Sequence, residues 1–143
     1  MSRITLGVLF GLLVWGVFLV TSDLAWEAFS PDWFGKSQNE LRSAIFYDTP
    51  FKPQTSILLI VIIRSIFYSI ISGVFTAIIA RDNEKATLIL GVLLMLSGLI
   101  VHYFFWYLVP IWYHILIIFL FVPFTLLGGK LITITPHRPR LVS

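Results

Sequence analysis

The stretch from Ser56 to Ala80 reads SILLIVIIRSIFYSIISGVFTAIIA, and its apolar character decides the fold. A hydrocarbon core of about 30 Å requires about 20 consecutive apolar residues in a helix, so this stretch predicts a membrane-spanning helix. Arg64 is its single charged residue. An arginine at the middle of a bilayer costs roughly 2.5–3.5 kcal/mol, which makes Arg64 a candidate functional residue if the fold supplies a partner.

Three further apolar runs flank this one, at Ile4–Thr21, Ala86–Leu108 and Ile115–Ile134. The chain is 58% hydrophobic and 12% charged, with a mean hydropathy of +0.94, whereas soluble domains carry about 25% charged residues. These features predict an all-α, four-transmembrane-helix bundle with a short amphipathic helix in its first, outer loop. The predicted single membrane domain covers 1–143, with spans at about 4–22, 56–80, 86–108 and 115–134, an outer loop at 23–55 and a cytoplasmic tail at 135–143.

The basic residues predict the orientation of the bundle. If the N-terminus is cytoplasmic, that side holds six basic residues outside the spans or at their ends: Arg3, Arg81, Lys85, Lys130, Arg138 and Arg140. The other side holds three: Lys36, Arg42 and Lys52. This excess places both termini in the cytoplasm, and it explains the net charge of +3 without a nucleic-acid partner.

A cleaved signal peptide is the alternative for the first run, but Ile4–Val20 is longer than the usual 7–15 apolar residues, so an uncleaved anchor is favoured.

The connection between the first two spans contains a helix signal. Ser37-x-x-Glu40 matches a capping box, and Leu41, Ala44 and Ile45 follow at helical spacing. We expect a short amphipathic helix over Gln38–Phe46, on the outer surface or over the mouth of the bundle.

The depth of Arg64 selects its candidate partners. At 1.5 Å per residue, Arg64 lies roughly 10 Å below the outer edge of the hydrocarbon, and His102 lies at a similar depth in the third span. Asp23 and Glu27 extend from the outer end of the first span, and Tyr68 is one turn below Arg64. The candidate polar cluster is therefore Arg64, Tyr68, His102, Asp23 and Glu27, with either a structural role or a role in ligand or proton handling. The alternative is an arginine that reaches the headgroups without a function.

Small residues at helical spacing indicate helix-packing faces. In the first span these are Gly7 and Gly11, for which internal packing is favoured over a dimer face. In the second span Ser65, Ser69, Ser72 and Thr76 form a stripe beside Gly73. Four small hydroxyls on one helix are too few for a convincing pore, so close helix packing is the favoured interpretation.

Residue types and spacing exclude most catalytic and cofactor sites. The chain has no cysteine, which removes disulfides, thiolate nucleophiles and Cys-ligated metals. His102 and His114 are separated by a proline turn, His114 is expected in the interfacial turn, and no HExxH, GxGxxG, GxSxG or GxxxxGK[ST] motif is present. We therefore predict no catalytic residue, no metal site and no cofactor.

The segment from Gly73 to Leu131 resembles a set of small four-span bacterial inner-membrane proteins of uncharacterised function. Shared features are Ala77-Ile-Ile-Ala80, Leu90-Gly-Val92, Trp106, Val109-Pro-Ile-Trp-Tyr-His114, Pro123 and Leu127-Gly-Gly-Lys-Leu131. The resemblance implies a bacterial inner-membrane location and four spans, and it implies no activity.

Together these observations predict a small non-enzymatic scaffold or accessory subunit. Its expected partners are membrane lipid and either further copies of itself or a larger membrane complex. The alternative is a component of a small-solute or proton-linked transporter that uses the Arg64 cluster.

Overall fold

The structure is a computed structural model that describes residues 2–81 and 83–134, apart from the side chains of Asn83, Thr133 and Ile134. The predicted cytoplasmic tail at 135–143 lies outside the described residues.

Within the described residues the chain forms helices and no strand. Four helices are long and apolar enough to cross a membrane: α1 (Arg3–Phe29), α3 (Thr55–Ala80), α4 (Asn83–Phe104) and α5 (Ile111–Ile134). The shorter α2 (Lys36–Tyr47) lies between the first two. The predicted all-α bundle with four long apolar helices and a short helix in the first connection is confirmed.

Helix α1 continues two turns beyond the predicted span of 4–22. Its start is capped by the Ser2 hydroxyl, which accepts a hydrogen bond from the Thr5 N–H at 3.2 Å. No residue between Ser22 and Phe29 disfavours a helix, and the helix ends where Ser30 precedes Pro31. The sequence allows the first helix to continue past the span boundary at 22 as far as Phe29, and the structure shows this continuation, which carries Asp23 and Glu27 above the apolar part of α1.

The first connection is more helical than predicted. A π-helical turn at Pro31–Gly35 leads directly into α2, which extends slightly beyond the predicted Gln38–Phe46. The helix ends at Tyr47, and Asp48 follows it in the left-handed conformation (φ 54°). The proline-containing segment at 48–54 contains no helix. The π turn buries Phe34 completely, so this connection packs onto the bundle.

The turn between α4 and α5 comes earlier in the chain than the predicted boundaries at 108 and 115. Helix α4 ends at Phe104, and α5 begins at Ile111 directly after Pro110. A turn at 105–108, in which the Leu108 N–H donates to the Phe105 carbonyl, follows α4. Proline is tolerated at a helix start, so Pro110 leads directly into α5. As a result His114 lies inside α5 rather than in an interfacial turn.

Helix α3 occupies the centre of the bundle, packed along α1 and α5, and α4 packs mainly along α5. The long helices alternate in direction, so α1 begins where α3 ends, with Gly7 against Ala80. We call this the terminal end of the bundle, and the opposite end, which carries α2, the loop end.

The outer surface of the four long helices is apolar. Large exposed side chains occur on every one of them, including Leu13, Ile63, Ile100 and Phe119. Such a surface suits lipid rather than water. The length, composition and surface of the bundle are those of an integral membrane protein.

Candidate functional site

Arg64 lies at the loop end of α3 and is paired with the loop end of α1. Its Nη2 donates to Asp23 Oδ1 at 2.7 Å, and its Nη1 donates to the Ser22 hydroxyl at 3.1 Å. The Arg64 side chain is 10% exposed and that of Asp23 is 35% exposed. A charge-assisted bond of this length neutralises the arginine at the edge of the apolar interior.

Phe34 from the π-helical turn covers the same guanidinium. The Arg64 Cζ lies 5.4 Å from the centroid of the Phe34 ring, a cation–π distance, and Trp26 packs against the ring at 5.8 Å. Arg64 Nε is buried and has no hydrogen-bond partner within residues 2–81 and 83–134. The arginine therefore holds three segments together: α1, α3 and the π-helical turn.

Two of the five residues predicted for the polar cluster meet, and the other three have different partners. Glu27 pairs with Arg42 of α2 at 2.5 Å, on a more exposed surface. The Tyr68 ring stacks on Phe18 of α1 with centroids 5.6 Å apart. His102 lies with His114. The predicted cluster thus separates into an arginine–aspartate pair, a surface ion pair, an aromatic contact and a histidine pair.

The histidine pair joins α4 to α5. His102 Nδ1 lies 2.5 Å from His114 Nδ1, and His114 Nε2 lies 3.1 Å from the Trp106 carbonyl oxygen. His114 is completely buried and stacks on the Trp106 ring with centroids 4.5 Å apart. Phe105 and Tyr113 enclose His102. The pair therefore fixes the turn between the two helices.

The hydrogen-bond geometry assigns the tautomers of both rings. For two neutral rings, the Trp106 carbonyl oxygen only accepts, so His114 carries its proton on Nε2 and leaves a lone pair on Nδ1. His102 then donates from Nδ1 to His114 Nδ1, which leaves a lone pair on His102 Nε2. In the described part of the chain no donor reaches that nitrogen.

The predicted small-residue faces lie in helix contacts. Gly7 lies against Thr76 and Ala80, and Gly11 lies against Thr76 and Leu90, so both face the interior of one chain. A Cβ atom at Gly73 would overlap the Thr125 backbone of α5.

The hydroxyls beside Gly73 are buried and hydrogen-bonded. Ser65, Ser69 and Ser72 donate to carbonyls of their own helix at 2.7–3.2 Å. Thr76 donates to the Gly7 carbonyl of α1 at 3.1 Å. These contacts are those of helix packing rather than of a hydrophilic path.

Two adjoining cavities fill the loop end of the bundle. The upper chamber, about 230 Å³, is covered by α2 and has its polar wall at Asp23, Ser37, Gln38, Gln54 and Arg64. The lower chamber, about 200 Å³, is mainly apolar and includes His102 in its wall. The five residues that line both chambers are Leu19, Val61, Val101, Phe105 and Tyr113.

The described residues include no group of three or more histidine, aspartate or glutamate side chains placed to hold a metal ion. No protein-family model, no curated protein and no solved structure matches the chain. The resemblance over Gly73–Leu131 and the bacterial location that it implies therefore stay predictions.

Sequence reasoning missed three contributors to these sites, Ser22, Phe34 and His114. Ser22 precedes Asp23 and was predicted only as a span end. No sequence signal identifies Phe34, because its position over the Arg64 guanidinium depends on the π-helical turn. For His114 a signal was present, since Pro110 at a helix start places it on the first turn of α5.

Proposed function

We propose that this protein is a small non-enzymatic scaffold or accessory subunit in a bacterial inner membrane. The observation that carries the proposal is the neutralisation of Arg64: its charge is bound by Asp23 and Ser22 and covered by Phe34. A buried pair of this kind fixes helix positions, and it offers no free charge to a substrate.

The state of the other interior polar groups supports a non-enzymatic role. Three serine hydroxyls of α3 donate to helix carbonyls, so none of them is positioned as a nucleophile against a histidine base. His114 uses both ring nitrogens within the turn that it stabilises.

The distribution of charge supports cytoplasmic termini. Arg3, Arg81, Lys85 and Lys130 lie at the terminal end, whereas Lys36, Arg42 and Lys52 lie at the loop end. The excess of basic residues at the terminal end favours that end as cytoplasmic.

Labelling of introduced cysteines tests this orientation. The chain lacks cysteine, so single cysteines at Glu84 and Thr49, both exposed, would report the two sides when intact cells are treated with a thiol reagent that does not cross the membrane. Labelling at Glu84→Cys but not at Thr49→Cys would contradict the orientation.

Cross-linking in intact membranes tests the accessory role. We expect the parent chain to appear in a cross-linked species well above its own 16.4 kDa. The double variant Asp23→Leu, Arg64→Leu removes both charges together and should give the same species, because the pair acts only within the chain. A parent chain that remains monomeric under conditions that cross-link a known complex would contradict the proposal.

The second candidate is a component of a proton-linked transporter, favoured by the adjoining chambers between the Arg64–Asp23 pair and His102. Proteoliposomes with an enclosed pH-sensitive dye distinguish the two. A transporter component dissipates an imposed pH gradient and loses this activity in Asp23→Leu. A scaffold leaves the gradient as stable as in protein-free liposomes.

A further inference from the structure

The lower chamber has an opening toward the lipid-facing surface, between α1 and α4. Its wall on α4 includes Ser97 and Val101, which are both exposed, Val101 at 55%. Its wall on α1 includes Trp15 and Leu19. At the terminal end α1 contacts α4, where Gly11 meets Leu90, so the chamber is closed below and open to the side. A molecule dissolved in the membrane can enter without crossing the polar cover of α2.

The chamber wall is mainly apolar, and it includes a few polar groups that have no hydrogen-bond partner among the described residues. Leu94, Ile117 and Phe121 provide much of its surface. His102 contributes a ring whose Nε2 lone pair receives no hydrogen bond from the described residues. Trp15 contributes its indole ring, but the Nε1–H is fully buried and does not open into the chamber. Ser97 and Tyr113 contribute hydroxyls, which both donate and accept, so His102 Nε2 is the unpaired group of this wall that only accepts.

A hydroxyl is a small neutral group that supplies the donor this nitrogen lacks. Its hydrogen donates to a lone pair such as that of His102 Nε2, and its oxygen stays available as an acceptor. A charged group is disfavoured, because an apolar wall offers it no counter-charge.

The volume suits a ring with a short substituent. An apolar cavity of about 150 Å³ holds a benzene molecule, and the lower chamber is about 200 Å³. Together with the upper chamber the space falls within the usual range of ligand pockets, about 300–1,000 Å³. A longer substituent can therefore extend toward α2.

We propose that the lower chamber binds a hydroxyl-bearing apolar ring molecule, a phenol or a related alcohol, that enters from the lipid between α1 and α4. His102 Nε2 accepts the hydroxyl proton in a hydrogen bond, and no bond is made or broken. This site goes beyond the scaffold role and does not depend on it.

A matched pair of probes tests the chemistry of the site. The parent protein in phosphatidylcholine nanodiscs is titrated with 4-bromophenol and with its methyl ether, 4-bromoanisole, which lacks the donor. Bromine quenches nearby tryptophan fluorescence, and protein-free nanodiscs correct for partition of each probe into lipid. We expect the phenol to bind about 2–10-fold more tightly, the factor for one hydrogen bond. We also expect the saturable quenching to be lost in Trp15→Phe. Equal Kd values for the two probes, or no saturable quenching in the parent, would overturn the proposal.

Two variants locate the binding. His102→Phe should remove the preference for the phenol and leave binding of the ether unchanged. Val101→Phe should narrow the opening and slow the association of both probes at least threefold in stopped-flow quenching, whereas Ile100→Phe, an exposed neighbour outside the chamber wall, should not. If His102→Phe does not fold, the parent preference and the Val101 comparison still decide the outcome. An unchanged association rate in Val101→Phe would exclude the lateral entry.

Discussion

The terminal end and the loop end of this bundle are packed in different ways. At the terminal end, glycines bring helix backbones into contact: Gly7 against α3, and Gly73 and Gly128 against the α3–α5 interface. At the loop end, large aromatic and basic side chains separate the helices, and two chambers lie between them. The terminal end therefore determines which helices are neighbours, whereas the loop end has room for a ligand.

The two ends also differ in how they satisfy polar groups. Hydroxyls at the terminal end donate to backbone carbonyls within the packed helices. The loop end instead uses side-chain pairs, with Arg64 bound to Asp23 and His102 bound to His114. Backbone contacts tolerate almost no added volume, while side-chain pairs tolerate joint replacement by apolar residues of similar size. Substitutions at the two ends should therefore have distinct signatures.

The largest effect is expected from Gly73→Val at the terminal end. A Cβ at this position overlaps the Thr125 carbonyl, and a backbone atom cannot move aside as a flexible side chain can. We expect the free energy of unfolding to fall by about 3 kcal/mol or more, measured by SDS titration in mixed micelles with circular dichroism.

Gly16→Val is the matched control, because no atom lies within 4 Å of a Cβ built at Gly16. It should change stability by less than about 0.5 kcal/mol. Similar losses in the two variants would mean that helix glycines are required for a reason other than close packing.

A smaller effect is expected from Asp23→Leu at the loop end. Removal of one partner of a buried ion pair costs about 3–5 kcal/mol, and the 35% exposure of Asp23 reduces this to about 2 kcal/mol. The double variant Asp23→Leu, Arg64→Leu should return to within about 1 kcal/mol of the parent, because no unpaired charge remains. Asp32→Leu, at an exposed position of the π-helical turn, controls for the loss of a carboxylate. A double variant less stable than Asp23→Leu alone would show that the loop end, too, depends on specific contacts.

The sequence predicted the terminal end better than the loop end, for a physical reason. A membrane helix is defined by a run of apolar residues, and close packing is signalled by small residues on one helix face. Both signals are local in the chain. The four long helices and the facing of Gly73 could be read from such patterns, and at the loop end only the presence of α2 could.

The loop end depends on side-chain directions that local patterns do not contain. Asp23 was a candidate partner of Arg64, but the choice between Asp23 and Glu27 depends on how far α1 continues and on Arg42, which binds Glu27. His102 and Arg64 were expected at similar depth, yet depth does not give the rotation of α4 about its axis. That rotation turns His102 toward His114. The turn at Pro110 then determines which ring nitrogens meet.

The smallest effect is expected from Thr76→Val, which separates the two contributions at the terminal end. Thr76 is completely buried and donates to the Gly7 carbonyl of α1, and valine keeps its shape without the hydroxyl. Hydrogen bonds between membrane helices average about 0.6 kcal/mol, because the competing state also finds partners, so we expect a loss of about that size in the same SDS titration. Ser72→Ala, which removes a bond within α3, should cost less. If Thr76→Val instead approached the loss in Gly73→Val, hydrogen bonding rather than backbone contact would hold α1 on α3. The proposed difference between the two ends, close backbone contact at the terminal end and polar side-chain pairs at the loop end, would then be contradicted.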